Sequence, residues 1–140
     1  MKTRILSATA AVVLFAAIPT FSQGAAHVLV PGCGGKDHAK FEPSKIIVAC
    51  GDGNLFLTKL KWSAWGSTSA KGSGTAHQNT CTPSCAQGRF KSYPVDVTLS
   101  KAKLCTKQQK TEFKKLTYVF TGKKPAGASK KNAVPRPCSA

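Results

Sequence analysis

The stretch YPVDVTLS, residues 93–100, decides the fold: Tyr93, Val95, Val97 and Leu99 line one side of an extended chain, and Asp96, Thr98 and Ser100 line the other. Successive side chains of a strand point to opposite faces, so this period of two is a strand signature. One polar face marks an antiparallel sheet with a solvated side. Leu116, Tyr118 and Phe120 repeat the pattern downstream, with Lys115, Thr117 and Thr121 outward. Upstream, Leu55 to Trp62 alternates as well, which places Phe56, Leu60 and Trp62 on one face and Lys59 and Lys61 on the other. Ile46 to Cys50 forms a short apolar strand, and Gly51-Asp52-Gly53-Asn54 supplies hairpin residues that accept positive φ. Gly, Pro and Ser turns separate the runs. The expected fold is therefore all-β, a small antiparallel β-sandwich or a partly open barrel.

Two segments leave alternatives. Gly66 to Ala76 reads as a loop or a Gly-tolerant strand, and Ser100 to Lys114 as a short Ser100-capped helix holding Cys105 or as an ordered loop. Around the β domain of residues 43–122, residues 27–42 read as a flexible N-terminal arm. Residues 123–140, rich in Lys, Pro, Ala and Ser, read as a disordered tail.

Residues 1–26 read as a signal peptide. Lys2 and Arg4 precede an apolar run from Ile5 to Ile18, long enough for an h-region and short of the roughly 20 residues that span a bilayer. Cleavage is expected before Gln23 or, by preference, before His27; the alternative is an uncleaved anchor. Export implies a secreted, extracellular location. Val30-Pro31-Gly32-Cys33 is similar to a lipobox, which would tether the protein through a lipid on Cys33, but Pro31 fits that pattern poorly.

The chain's 6 cysteines all follow the signal, as expected of a disulfide framework in a small exported domain. If consecutive strands run up and down, Cys50 shares one end of the sheet with Cys81 and Cys85 and should pair with one of them. Cys105 would fold back to the other. Cys33 and Cys138 would pair with each other or stay free. Cys81-x-x-x-Cys85 has roughly zinc-like spacing, but no second close ligand pair accompanies it, so no metal is expected.

Within residues 43–122 an ordered pattern runs from Ile47 to Gly53 (IVACGDG), through Leu60-x-Trp62-x-x-Trp65-Gly66 and Ala70-x-Gly72-x-Gly74-Thr75, to Asn79-x-Cys81-x-Pro83-x-Cys85-Ala86-x-Gly88 and Cys105. It resembles small secreted actinobacterial proteins without an assigned activity. The resemblance implies an exported bacterial protein with a compact core domain, and it carries over no catalytic residue.

Composition narrows the chemistry. Among 140 residues, 21 Lys+Arg face only 5 Asp+Glu and 3 His, a formal charge of +16. His27 and His38 fall in the arm and His77 beside the Asn79–Cys85 turn; Asp37, Glu42, Asp52, Asp96 and Glu112 are scattered without a preferred pair. Asp52-Gly53-Asn54 lacks the remaining ligands of a calcium loop. No nucleophile motif appears, so no enzymatic activity and no cofactor are expected; a small secreted ribonuclease using His and Lys is the minor enzymatic alternative. Trp62 and Trp65 could stack on sugar rings or bases, but at this spacing a regular strand points them to opposite faces, unless it bends at Ser63-Ala64. The simpler expectation packs both.

Arg4, Arg89 and Arg136 are the only arginines, so the charge is lysine charge. Lysine is a flexible, hydrated point charge suited to diffuse attraction rather than two-pronged readout. Lys114, Lys115, Lys123, Lys124, Lys130 and Lys131 concentrate it toward the C-terminus and are the candidate polyanion contacts. The simpler reading makes them solubilising. The leading expectation is a secreted, non-enzymatic protein associating with anionic cell-surface polymers or lipid head groups. The alternative is an inhibitor or effector that presents Thr82, Pro83 and Ser84 to a protein partner.

Overall fold

In the computed structural model, which describes residues 27–34 and 37–139, every strand pairs antiparallel with the next along the chain. The six strands are β1 (Ile46–Ile47), β2 (Leu55–Trp65), β3 (Ser69–Asn79), β4 (Phe90–Cys105), β5 (Lys110–Phe120) and β6 (Lys131–Pro135), and their sheet order is their sequence order. The sheet curls into a half-barrel, with no helix among the described residues. The expected signal segment, residues 1–26, lies outside the described residues.

The alternation of β4 and β5 holds. Val95, Val97, Leu99, Leu116, Tyr118 and Phe120 are all buried in one core cluster with Leu57, Leu60 and Phe113. Fully burying such side chains stabilises by about 1.5–3 kcal/mol each, which makes this face the main driving force for the curl.

β2 departs from simple alternation. Its register against β3 slips between Thr58 and Lys61, where Lys59 has a φ of 52°, and again between Trp62 and Ala64. Each slip is a bulge, which bends the strand and re-aims the side chains beyond it. Leu57 and Leu60, three residues apart, consequently both enter the core. Phe56, expected beside Leu60 and Trp62, instead lies opposite His77 on the outer side. The second bulge brings Trp62 and Trp65 together edge to face, with ring centroids 4.8 Å apart.

Glycine makes the bulges possible. Gly72 and Gly74 face the bulged stretch from β3. A Cβ on Gly72 would lie 2.5 Å from the Lys61 carbonyl oxygen, and one on Gly74 would lie 2.8 Å from that of Thr58. The Gly-rich segment from Ser69 is thus a strand because only glycine fits there.

Other expectations are corrected. Ser100 to Lys114 holds neither a helix nor a loop of that length: β4 continues to Cys105, turns tightly and returns as β5 at Lys110. The arm is packed, with Val28 and Val30 buried. Leu29 joins the free edge of β5, its N–H donating to the Thr111 carbonyl and its carbonyl accepting from the Phe113 N–H. The tail supplies β6, which occupies the rest of that edge from Lys115 to Val119. Both segments are ordered because β5 offers an unpaired edge that they satisfy.

The disulfides are Cys33–Cys50, Cys81–Cys85 and Cys105–Cys138. The expected pairing of Cys50 with Cys81 or Cys85, of Cys105 with the other, and of Cys33 with Cys138 is wrong. Up-and-down reasoning does place Cys50, Cys81 and Cys85 at one end, where the Asn79 N–H donates to the Asn54 carbonyl. Cys81 and Cys85, however, close their own loop. The ordered arm brings Cys33 to Cys50, with Cα atoms 5.3 Å apart, and β6 returns Cys138 to the end where β4 finishes. The Cys33 sulfur is consumed in its bridge, which leaves none for a lipid thioether.

Gly72→Ala and Gly74→Ala should each destabilise the protein by about 1–3 kcal/mol, as overpacking does. Gly51→Ala, with nothing within 4 Å of its added Cβ, should change stability by less than about 0.5 kcal/mol. Urea unfolding of the three variants checks this.

Candidate functional site

Three of the five carboxylates serve the fold. Asp37 Oδ2 accepts the Cys33 N–H at 2.9 Å, while its Oδ1 pairs with Lys40 Nζ at 3.0 Å. Asp52 accepts from the backbone and side chain of Asn54 and closes its own turn. Glu112 is 0% exposed and accepts the Ser139 N–H at 3.0 Å. Lys40–Asp37 is the only ion pair among the described residues, so the lysine charge is almost wholly uncompensated.

Fold and charge meet at Arg136, which is only 4% exposed. Its Nη1 donates to the Ile47 carbonyl at 2.8 Å, and its Nη2 donates to the Pro31 carbonyl at 2.7 Å. Burial pushes this guanidinium's pKa down and the Asp37 charge pushes it back, but a guanidinium stays protonated at any ordinary pH. Arg136 is therefore a structural cation and not part of a binding surface.

The six lysines singled out from the sequence divide. Lys123, Lys124, Lys130 and Lys131 are exposed and Lys115 is half-buried; Lys124 Nζ donates to the Ala128 carbonyl at 2.7 Å. Lys114 turns toward the Cys105–Cys138 bridge, with Nζ 3.2 Å from Cys138 Sγ. Burial lowers its pKa, while Glu112 partly restores it. The β4–β5 hairpin adds exposed Lys101, Lys103, Lys107 and Lys110. Sequence reading missed this cluster, because these lysines fall singly in a segment without recognisable periodicity. Once the segment is a hairpin, its two strands bring them to one end of the sheet.

A second feature lies on the outer face near the opposite end. Phe56, His77 and Ser92 form one cross-strand row over β2, β3 and β4. The Phe56 and His77 rings stack with centroids 4.9 Å apart and planes 17° from parallel, and Phe90 lies 5.2 Å from Phe56. His77 is held by both nitrogens, Nε2 hydrogen-bonding Thr58 Oγ1 at 2.8 Å and Nδ1 hydrogen-bonding Ser92 Oγ at 3.0 Å. Lys45 Nζ sits 4.9 Å from the Phe56 ring centre, within cation–π reach. Phe90, flanked by exposed Arg89 and Lys91, keeps 47% of its surface open.

Trp62 and Trp65 have structural work. Trp62 Nε1 donates to the Pro43 carbonyl at 3.0 Å and Trp65 Nε1 to the Val28 carbonyl at 3.1 Å, so Trp65 fastens the arm to the core and Trp62 holds the segment that follows it. His27 packs against Phe41 with the rings tilted, and Phe41 meets Trp65 edge to face. Thr82, Pro83 and Ser84 are exposed on the Cys81–Cys85 loop. Asn79 anchors that loop, its Oδ1 accepting the Cys81 N–H and its Nδ2 donating to the Cys85 carbonyl. Cys105, Glu112 and Cys138 place possible ligand atoms within 4.8 Å of one another, but both sulfurs are spent in a disulfide and only one carboxylate remains to bind an ion.

No protein-family model, curated protein or solved structure gives a significant match to the chain. Among the described residues no helix is long and apolar enough to cross a membrane.

The Asp37 contacts set an acid limit. Burial alone would raise this carboxyl, but the Cys33 N–H, the Lys40 ammonium and Arg136 outweigh it and hold the pKa below the usual aspartate value. A folded pKa below the unfolded one adds stability above about pH 4 and loses it as pH falls through the folded value. Urea midpoints of the wild type should therefore fall progressively below pH 4. Asp37→Asn should be less stable at pH 7 and show a shallower fall in acid.

Proposed function

We propose that this is a secreted, non-enzymatic β protein that associates electrostatically with anionic polymers of the cell envelope. The observation that supports the reading is the scarcity of internal compensation: a chain of formal charge +16 has one ion pair among its described residues. The carboxylates at Asp37, Asp52 and Glu112 are occupied by backbone and side-chain donors of the fold, and the exposed lysines keep their charge for solvent or a partner. Export follows from the signal-like residues 1–26 and agrees with three disulfides, which persist in oxidising compartments.

Lysine surfaces attract polyanions without demanding one geometry, and binding releases condensed counterions. Association should therefore weaken steeply as salt rises. Cells carrying the bound protein, washed with graded sodium chloride, should release it over a narrow salt range. Replacing Lys101, Lys103, Lys107 and Lys110 with glutamine should move release to lower salt, as should the same change at Lys123, Lys124, Lys130 and Lys131. Protein that stays bound at 1 M salt, or release unchanged by either set, would refute charge as the anchor.

A further inference from the structure

We propose that the Phe56–His77–Phe90 cluster is a ring-stacking site for single-stranded nucleic acid. The proposal rests on the polyanion reading for its attraction and on the aromatic cluster for its selectivity.

Outward aromatic rings on a sheet forfeit burial, since the core lies on the other face. Phe56 and Phe90 nevertheless converge there from β2 and β4, on either side of the β3 histidine. Thr58 and Ser92 hold the His77 ring by both nitrogens, so the stack is rigid before any ligand arrives and little ordering cost falls on binding. Phe90, at the margin of the cluster, keeps nearly half of its surface open to solvent.

The surroundings are cationic. Lys45 lies against Phe56 and exposed Arg89 precedes Phe90 in the chain, whereas Lys91, the next residue of β4, points to the opposite face. Neither the Phe56–His77–Ser92 row nor the neighbouring Thr58–Thr75–Pro94 row contains a carboxylate. Asp52, in the β1–β2 turn, already accepts two hydrogen bonds from Asn54. The open Phe90 ring, with Lys45 and Arg89 nearby, matches a polymer that carries planar rings and negative charge on one flexible backbone. Single-stranded nucleic acid has that chemistry. Anionic polymers without planar rings can use only the cations, and duplexes keep their base faces stacked internally.

The competing effects have opposite signs, which makes the test decisive. Charge alone favours a duplex, whose phosphates are denser than those of a single strand, whereas stacking favours the single strand. Fluorescence anisotropy of the disulfide-intact protein would compare a labelled oligothymidylate, a duplex of equal phosphate number and polyphosphate at one salt concentration. The wild type should bind the single strand more tightly than the duplex. Phe90→Ala should weaken single-strand binding by about tenfold, within the range of one lost base–aromatic stack, and leave polyphosphate binding within about twofold. Phe90→Tyr should retain single-strand affinity. A wild type that prefers the duplex, or a Phe90→Ala variant that loses affinity for all three probes equally, would overturn the stacking site while sparing the polyanion reading. Failure of the wild type to bind polyphosphate at low salt would overturn the polyanion reading itself.

Discussion

The two margins of the half-barrel are joined by one guanidinium. Arg136, just past the end of β6, donates to Ile47 on β1 and to Pro31 in the arm. Those carbonyls belong to segments about 90 and 105 residues away along the chain. Hydrogen bonds to a charged donor are worth roughly 1.5–3 kcal/mol, and a buried acceptor left without a donor costs about as much. The neighbouring contacts depend on the same closure. The Gly32 N–H donates to Ser139 Oγ, the Ser139 N–H donates to Glu112, and Gln108 Nε2 donates to the Ser139 carbonyl. Cys33–Cys50 fastens the arm beside β1, and Cys105–Cys138 fastens the chain's end beside β4. The termini of the domain are thus its seam.

This arrangement sorts charge by chemistry. The buried cation is an arginine, whose planar fork can satisfy two carbonyls from one position, a geometry that a lysine ammonium lacks. Asp37 and Glu112 take backbone N–H groups at or near the seam. Lysine is left for the surface, at the β4–β5 hairpin and along the C-terminal segment. A fold that engages three of its five carboxylates in this way leaves a strongly basic exterior. The same sheet carries its aromatic stack toward the other end of the outer face, away from the hairpin lysines.

The parts legible in the sequence were those governed by local periodicity. Tyr93 to Ser100 and Leu116 to Phe120 alternate cleanly, and their inward residues are the core. β2 was legible as a strand but not in its facing, because a bulge at Lys59 turns Leu57 inward and leaves Phe56 outside. The arm and tail were illegible for a different reason. Their order comes from distant partners, such as the Trp65 N–H on the Val28 carbonyl and the free edge of β5, and no local pattern encodes these. The disulfide pairing failed with them, since Cys33 and Cys138 sit in those segments. The aromatic cluster could have been read only after the Gly-rich segment was recognised as β3, which sets His77 across from Phe56.

Residue-resolved amide hydrogen exchange on the wild type and Arg136→Met tests the seam most directly, because methionine keeps much of the packing and removes the donors. The account predicts that Leu29, Val48 and residues 131–136 lose protection together, although they belong to the arm, the β1 margin and β6, while the β3–β4 amides between Ala70 and Leu99 keep theirs. Loss confined to residues 131–136, with Leu29 and Val48 as protected as in the wild type, would contradict it.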